Sequence, residues 1–288
     1  MQHLSLSKKL PHAIFSFRLD KLGRFKYFPL MVLPEPLLSI IIPVFNEESN
    51  IPGVLRDLYA VLRVHPEWRW EVIVVEDGSR DRTRQVILDL LKQYPETQLI
   101  LHDKNEGYNT SMRDGIAKAQ GKYLMYIGAD EEFDCSELAS FVEPLLTEGE
   151  PHADLVLGVR WQRNAYRLHR FFLSVIYIFF LNFLFKLRVN DYNWSQAWCR
   201  ELLERIQLES KSLFMLPEII IKAHDLGYKI KEVPSNHRGR RTGRSSLNLR
   251  IMTHAVIDAF LFLRRRNSKN YSPLKEAGVQ QDLASSLS

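Results

Sequence analysis

Two cysteines, Cys135 and Cys199, are too few and too isolated for a disulfide framework or a zinc ligand set, so a reducing compartment is the default and no redox role is expected. No Gly-x-Gly-x-x-Gly follows the first apolar strand pattern and no Gly-Lys-Ser/Thr loop occurs, so dinucleotide oxidoreductases and P-loop hydrolases lose their phosphate cradle. The chain has no Gly-x-Ser-x-Gly elbow, which leaves acyl transfer without a nucleophile. Nor does an apolar run reach the ~20 residues that span a bilayer. The longest runs from Phe171 to Phe185 and is broken by Ser174 and Asn182. Charges interrupt the first segment, so no secretory leader is expected. Apolar residues are nonetheless ample: 45% hydrophobic and 25% charged over 288 residues suffice for a folded core rather than a disordered chain.

Acidic residues are scarce in two stretches. Between Lys229 and Arg250 the cations Lys229, Lys231, Arg238, Arg240, Arg241, Arg244 and Arg250 face Glu232 alone, and up to Phe28 Lys8, Lys9, Arg18, Lys21, Arg24 and Lys26 face Asp20. With a formal charge of +5, this points to anionic partners: phosphates, nucleic acid or a lipid surface. Residues 1–36 read as a basic N-terminal extension in which Leu10, Ile14, Phe15, Phe17, Leu19, Leu22 and Phe25 interleave with cations. Both an amphipathic helix on a membrane surface and a loosely packed leader fit that pattern. Pro34 and Pro36 mark its end.

From Leu38 onward strands and helices alternate. Strands are predicted at Ser39–Val44, Glu71–Val75, Gln98–His102, Lys122–Ile127 and Asp154–Gly158. Between them lie a helix opened by Asn50 and Pro52, one over Arg82–Lys92, one ended by Gly121, and one over Ser136–Leu146. Such alternation predicts an α/β fold with a mostly parallel central sheet and helices on both faces. Ligands of these sheets bind at the carboxyl ends of the strands. That rule aligns Asn46, Glu47, Asp77, Asp130, Glu131 and Glu132 along one edge.

The stretch Tyr126–Phe133, YIGADEEF, places three carboxylates in a row. One like-charged pair at ~4 Å costs ~1 kcal/mol in water and ~4 kcal/mol at an effective dielectric of ~20. A cation relieves that cost, and hard carboxylate oxygens suit Mg2+ or Mn2+, which take part of their shell from substrate phosphates. A solvated acidic turn ahead of a helix capped by Asp134 or Ser136 is the plainer alternative.

These segments, taken in order from about Leu38 to Asn248, resemble the family 2 glycosyltransferases and, within them, the polyprenyl-phosphate and dolichol-phosphate mannose synthase-like group. SIIIPVFNEESNI (Ser39–Ile51) and EVIVVEDGSRDRT (Glu71–Thr83) look like the family's two nucleotide loops, and Asn105–Asp134 like the segment leading to its metal motif. ADLVLGVR (Ala153–Arg160), EIIIKAHDLGYKIKEVP (Glu218–Pro234) and RRTGRSS (Arg240–Ser246) complete the order. The resemblance implies a glycosyltransferase A-type, nucleotide-diphospho-sugar transferase fold. It places Pro43, Val44, Asn46, Glu47, Asp77, Gly78, Ala129 and Asp130 around the donor, with Asp130 also a metal ligand; capping of helix N-termini is the alternative for Glu47 and Asp77. It assigns acceptor phosphate to Arg160, Arg240 and Ser245, and makes Asp130, Asp191 and Arg240 the catalytic set, with Glu218 second to Asp191 as a base. The chain departs from the family's usual Asp-x-Asp at Gly128, and Glu132 stands where Gln is common, as a substitute metal ligand.

The implied reaction is inverting transfer of a sugar to a polyprenyl phosphate. A phosphate monoester, with a second pKa of ~6, needs no base, and the Arg238–Arg244 cluster offers it cations. Two alternatives stand: transfer to a saccharide hydroxyl in cell-surface polysaccharide assembly, with Asp191 as general base, and a catalytically decayed sugar-nucleotide-binding protein, suggested by Gly128. Without stacking aromatics beside the arginine cluster, no nucleic acid is expected. The expected organisation is a catalytic domain over 37–249, with an amphipathic segment at 167–188, a C-terminal amphipathic helix over 250–266 and a disordered tail over 267–288. Both amphipathic segments fit the membrane interface or a buried packing role. The implied location is cytoplasmic, peripheral to the inner face of the cell membrane, with a homo-oligomer left open.

Overall fold

The computed structural model describes residues 16–19, 25–28, 35–147, 149, 152–162, 168–239, 249–268 and 271–274. The chain divides into two units, Met1–Glu35 and Pro36–Ser288. In the first, β1 (Ser16–Leu19) and β2 (Phe25–Phe28) pair antiparallel, with Phe17 opposite Tyr27 and Leu19 opposite Phe25. The amphipathic helix considered for this segment is therefore replaced by a hairpin over the described residues. Its apolar residues alternate with Arg18 and Lys26 at a period of two, and aromatic cross-strand pairs favour that geometry.

The second unit runs β3 (Leu38–Val44), α1 (Ile51–Leu62), β4 (Trp70–Glu76), α2 (Thr83–Leu90), β5 (Thr97–Leu101), α3 (Tyr108–Lys118), β6 (Tyr123–Tyr126) and α4 (Leu138–Leu146). It continues with β7 (Leu155–Gln162), α5 (Leu168–Phe185), β8 (Gln196–Cys199), α6 (Arg200–Arg205), α7 (Met215–Asp225), β9 (Ile230–Asn236) and α8 (Leu249–Arg266). Among the described residues the strands form one seven-stranded sheet in the order β5-β4-β3-β6-β8-β7-β9. All pairings are parallel except those of β8, which runs against β6 and β7.

Strand alternation builds a core on each face. Ile40, Ile42, Val72 and Val74 point to one side, where Leu55 and Leu58 of α1, Ile87 of α2 and Phe141 of α4 bury against them. Ile41, Ile73 and Val75 point to the other, under Met112 of α3, Leu181 and Phe185 of α5, Ile219 and Ile220 of α7 and Phe262 of α8. No helix among the described residues is long and apolar enough to cross a membrane. Burial along α5 is one-sided: Tyr177, Leu181 and Phe185 face inward, whereas Phe172, Ile176, Phe179 and Phe183 are 59%, 62%, 72% and 77% exposed.

Candidate active site

The ends of β3 and β4 lie in register, Val44 opposite Glu76, so the loops that follow them meet side by side. They are laced together. Asn46, held at φ 55°, takes a hydrogen bond on Oδ1 from the Arg80 amide at 2.8 Å and donates its own amide to Ser79 Oγ at 3.0 Å. The Glu47 amide donates to Thr83 Oγ1 at 2.8 Å, and its carboxylate accepts from Asn50 Nδ2 at 2.6 Å. Asn46 and Glu47 thus brace the two loops against each other, beyond buried Val44 and half-buried Pro43.

Asp77, just past β4, is buried, and its carboxylate gathers the third loop. It accepts from the Glu106 amide at 2.8 Å, the Gly107 amide at 2.9 Å and Asn105 Nδ2 at 3.1 Å, and it meets His102 Nδ1 at 2.8 Å. Close approach of the two chains depends on Gly78. It sits at φ +63°, and a Cβ there would lie 2.3 Å from the Lys104 carbonyl carbon and 2.6 Å from the Asn105 nitrogen. Both obstacles are backbone, so Gly78→Ala is expected to spread the loops and cost ~1–3 kcal/mol of strain. Thermal denaturation should show that cost as a lower Tm; an unchanged Tm would contradict this role.

Three carboxylates follow β6, and they separate. Glu131, at φ 58°, turns its carboxylate onto α1, where a Cβ on Gly53 would lie 1.5 Å from Oε1. Glu132 Oε2 lies 3.2 Å from His237 Nε2. Asp130 folds back over Gly128, where a Cβ would stand 2.9 Å from Oδ1. Gly128 therefore makes room for the Asp130 carboxylate, and fanning out lowers the repulsion that a row of three like charges carries. Ala129 between them is buried. Asp134 caps the 3-10 turn Cys135–Glu137 through the Ser136 amide, as its place before the helix predicts.

The end of β9 fixes this turn in place. Phe133 bridges antiparallel to His237, and the Arg238 amide donates to the Glu132 carbonyl at 2.9 Å. The Arg238 guanidinium pairs with Asp134 at 2.6 Å and Asp57 at 3.6 Å. The start of the basic loop is therefore seated on the acidic turn, while Arg240 and Ser245 lie outside the described residues. Tyr126 packs edge-on against Tyr108 near these groups. Burial first, and then the Asp130 and Glu132 charges, push its phenol up to about 12 against the opposing pulls of the Tyr108 hydroxyl and Arg160.

Arg160, expected on acceptor phosphate, and Asp191, expected as a base, are brought to each other. Arg160 Nε and Nη2 donate to Asp191 Oδ2 and Oδ1 at 2.7 and 2.8 Å, both side chains are buried, and the guanidinium lies 4.8 Å from the Trp194 ring centroid. Glu218, second as a base, is fully buried in α7. It pairs with Lys222 at 2.8 Å and accepts from the amides of Glu209 and Ser210, so it anchors the 207–212 loop. Tyr126, His102, Trp194 and His237 carried no sequence signal: single aromatic and histidine residues acquire meaning only from their neighbours.

Among the described residues no three carboxylate, histidine or cysteine side chains form a metal cage. The oxygens of Asp130 and Glu132 nonetheless fit Mg2+ or Mn2+ in the mode where one or two carboxylates share the ion with substrate phosphates.

A model described as glycosyl transferase family 2 matches residues 39–207. Among curated proteins, dolichyl-phosphate beta-glucosyltransferase ALG5A of Trichomonas vaginalis is 27% identical over 221 residues, 72% of this chain and 68% of that protein. ALG5C and ALG5D of the same organism, with the same description, are 29% and 26% identical over 42% and 50% of this chain. The chain matches 38% and 46% of their lengths. Among solved structures, glucosyl-3-phosphoglycerate synthase from Mycobacterium tuberculosis, in complex with Mn2+, UDP and glucosyl-3-phosphoglycerate, superposes with a TM-score of 0.59 at 22% identity, over 79% of this chain and 80% of that one. Its complex with Mg2+ and UDP gives 0.60 at 21%, over 79% of each chain. At these identities the likeness is one of fold.

Proposed function

The chain belongs to glycosyl transferase family 2 and is a glycosyltransferase of the A-type fold, and on that footing we propose that it transfers a sugar, with inversion, from a nucleotide-diphospho-sugar to a polyprenyl phosphate at the cytoplasmic face of a membrane. The names of its curated relatives support a polyprenyl phosphate acceptor. The observation that carries the choice over a saccharide acceptor is the state of the two carboxylates that would serve as base. Asp191 is forked to Arg160, and Glu218 is buried against Lys222. A sugar hydroxyl has to surrender a proton to such a group, whereas a phosphate monoester with a second pKa of ~6 arrives mostly ionised.

In this reading the laced loops of Asn46, Glu47 and Asp77 form the nucleoside pocket, and the diphosphate lies toward Asp130. A divalent ion held by Asp130 and Glu132 would neutralise charge on the departing nucleoside diphosphate. Tyr126 keeps a donor in the same cluster, and the basic segment that opens with His237 and Arg238 leads from the acidic turn toward Arg240 and Ser245, the residues proposed for acceptor phosphate. The packing of Asp130 over Gly128 gives this glycine a structural reason of its own, which favours an active transferase over a decayed binding protein.

The outer face of α5 supports a lipid-borne acceptor. Phe172, Ile176, Phe179 and Phe183 are exposed along it; beside it Phe260 of α8 packs on Phe180 at 5.5 Å, and Ile257 and Leu261 are exposed. Exposed Lys186, Arg188, Arg264 and Arg265 lie near the ends of these helices, and each cation near an anionic leaflet adds ~1 kcal/mol. Phe179→Ser with Phe183→Ser is expected to abolish co-sedimentation with phosphatidylglycerol vesicles. It should lower transfer to long-chain polyprenyl phosphate in vesicles at least tenfold and spare transfer to a short, water-soluble prenyl phosphate. Equal losses on both acceptors would count against this face.

A further inference from the structure

His102 follows β5 and bridges two carboxylates from different elements. Its Nδ1 lies 2.8 Å from Asp77 Oδ1 at the β4 end, and its Nε2 lies 3.0 Å from Asp114 Oδ2 on α3. The ring is nearly buried, at 9% side-chain exposure, while Asp114 is 46% exposed. A neutral imidazole carries one N–H and can satisfy only one of two acceptors; both contacts are hydrogen bonds only when the ring is the doubly protonated cation. The backbone around it is pinned as well. The His102 amide donates to the Glu76 carbonyl at 2.9 Å, and the Arg84 guanidinium of α2 donates to the His102 carbonyl.

Two of the groups that meet at this ring also shape the third loop of the cleft. Asp77 accepts from the amides of Glu106 and Gly107 and from the Asn105 side chain, and Gly107 is the residue from which α3 springs. Asp114 sits within α3 itself. We propose that His102 is a positioning residue of the donor site, whose charged ring ties Asp77 to α3 and thereby holds the Asn105–Gly107 turn in the form that receives the nucleoside. This rests on the reading of these loops as the donor pocket. Because the amides of Glu106 and Gly107 converge on Asp77, release of the clamp acts on nucleotide affinity rather than on the transfer step.

The charged and titratable groups around the ring are Asp77 and Glu76 at the β4 end, Arg84 of α2, Asp114 of α3, and Asp103 and Lys104 in its own loop. Burial alone favours the neutral ring; the hydrogen bonds and charges of Asp77 and then Asp114 outweigh it and raise the pKa above the usual 6.5. A raised folded-state pKa means that the clamp's contribution is fully present below the ordinary value and is lost as pH rises through the raised one.

The test pairs two readouts. Proton NMR of the ligand-free protein follows the His102 ring, assigned by its disappearance in His102→Gln, and calorimetry with UDP, GDP and dTDP sugars in Mn2+ follows donor affinity across the same pH range. The ring midpoint is expected above ~6.5, with donor affinity falling through that midpoint at unchanged kcat. Asp114→Asn, a half-exposed neutral replacement, should lower both midpoints together by ~1 unit. An ordinary midpoint, or an Asp114→Asn affinity profile that overlays that of the wild type, would overturn the clamp. A raised midpoint with no nucleotide bound at any pH would instead overturn the donor reading on which the proposal stands.

Discussion

Asp130→Asn is expected to lower sugar transfer by ~10²–10³-fold, the scale on which one preorganised group that stabilises transition-state charge contributes. Asparagine keeps the shape of the side chain that folds back over Gly128, where even a Cβ would come within 2.9 Å of Oδ1, so the turn itself should persist. Removal of the charge leaves Glu132 as the sole proposed carboxylate ligand, and Glu132 Oε2 already meets His237 at 3.2 Å. Initial rates over a Mn2+ series should show a weaker apparent metal affinity as well as a lower ceiling, with the affinity for free nucleoside little changed. Full metal-dependent turnover by Asp130→Asn would remove this residue from the mechanism.

Asp191→Ala is expected to destabilise the fold by ~3–5 kcal/mol, the cost of stranding a buried charge without its partner. The stranded group is Arg160, which donates from Nε and Nη2 to Asp191 and whose face lies on Trp194. For a domain of this size, where 1 kcal/mol moves Tm by ~2–4 °C, the loss should appear as a fall of ~6–20 °C. Replacing both partners, Arg160→Met with Asp191→Leu, should recover most of it, since a buried pair exchanged for apolar residues of similar volume is often neutral. A general base outside any buried pair would behave in the opposite way, with activity lost in Asp191→Asn and stability retained. Thermal denaturation of the three variants separates the two roles.

The difference between these residues explains what could be read from the sequence. Strand-helix alternation and the carboxyl-end rule depend on local patterns, so the strands and the loops carrying Asn46, Asp77 and Asp130 were visible as apolar runs ending in polar turns. Arg160 and Asp191 are 31 positions apart and meet only because β8 runs antiparallel between β6 and β7, a reversal that no periodicity encodes. Glu218 was a candidate base only beside Asp191, on the strength of the resemblance. The lysine four residues on, Lys222, shares its interior, and that pairing decides its role. The pairing of residues 16–19 with 25–28 was hidden by composition: basic and apolar residues in mixture suit an amphipathic helix until their period is counted. His102 stayed silent for the same reason as Arg160, since its two carboxylates come from other elements.

The central claim is sugar transfer to a lipid-linked phosphate, and its most direct measurement is product analysis. Purified protein, Mn2+, radiolabelled nucleotide sugars offered one at a time, and polyprenyl phosphate in vesicles should yield organic-extractable label as a single sugar on the prenyl phosphate, with the anomeric configuration opposite to that of the donor. Label recovered instead in an added saccharide acceptor, or retained configuration in the lipid product, would contradict the account.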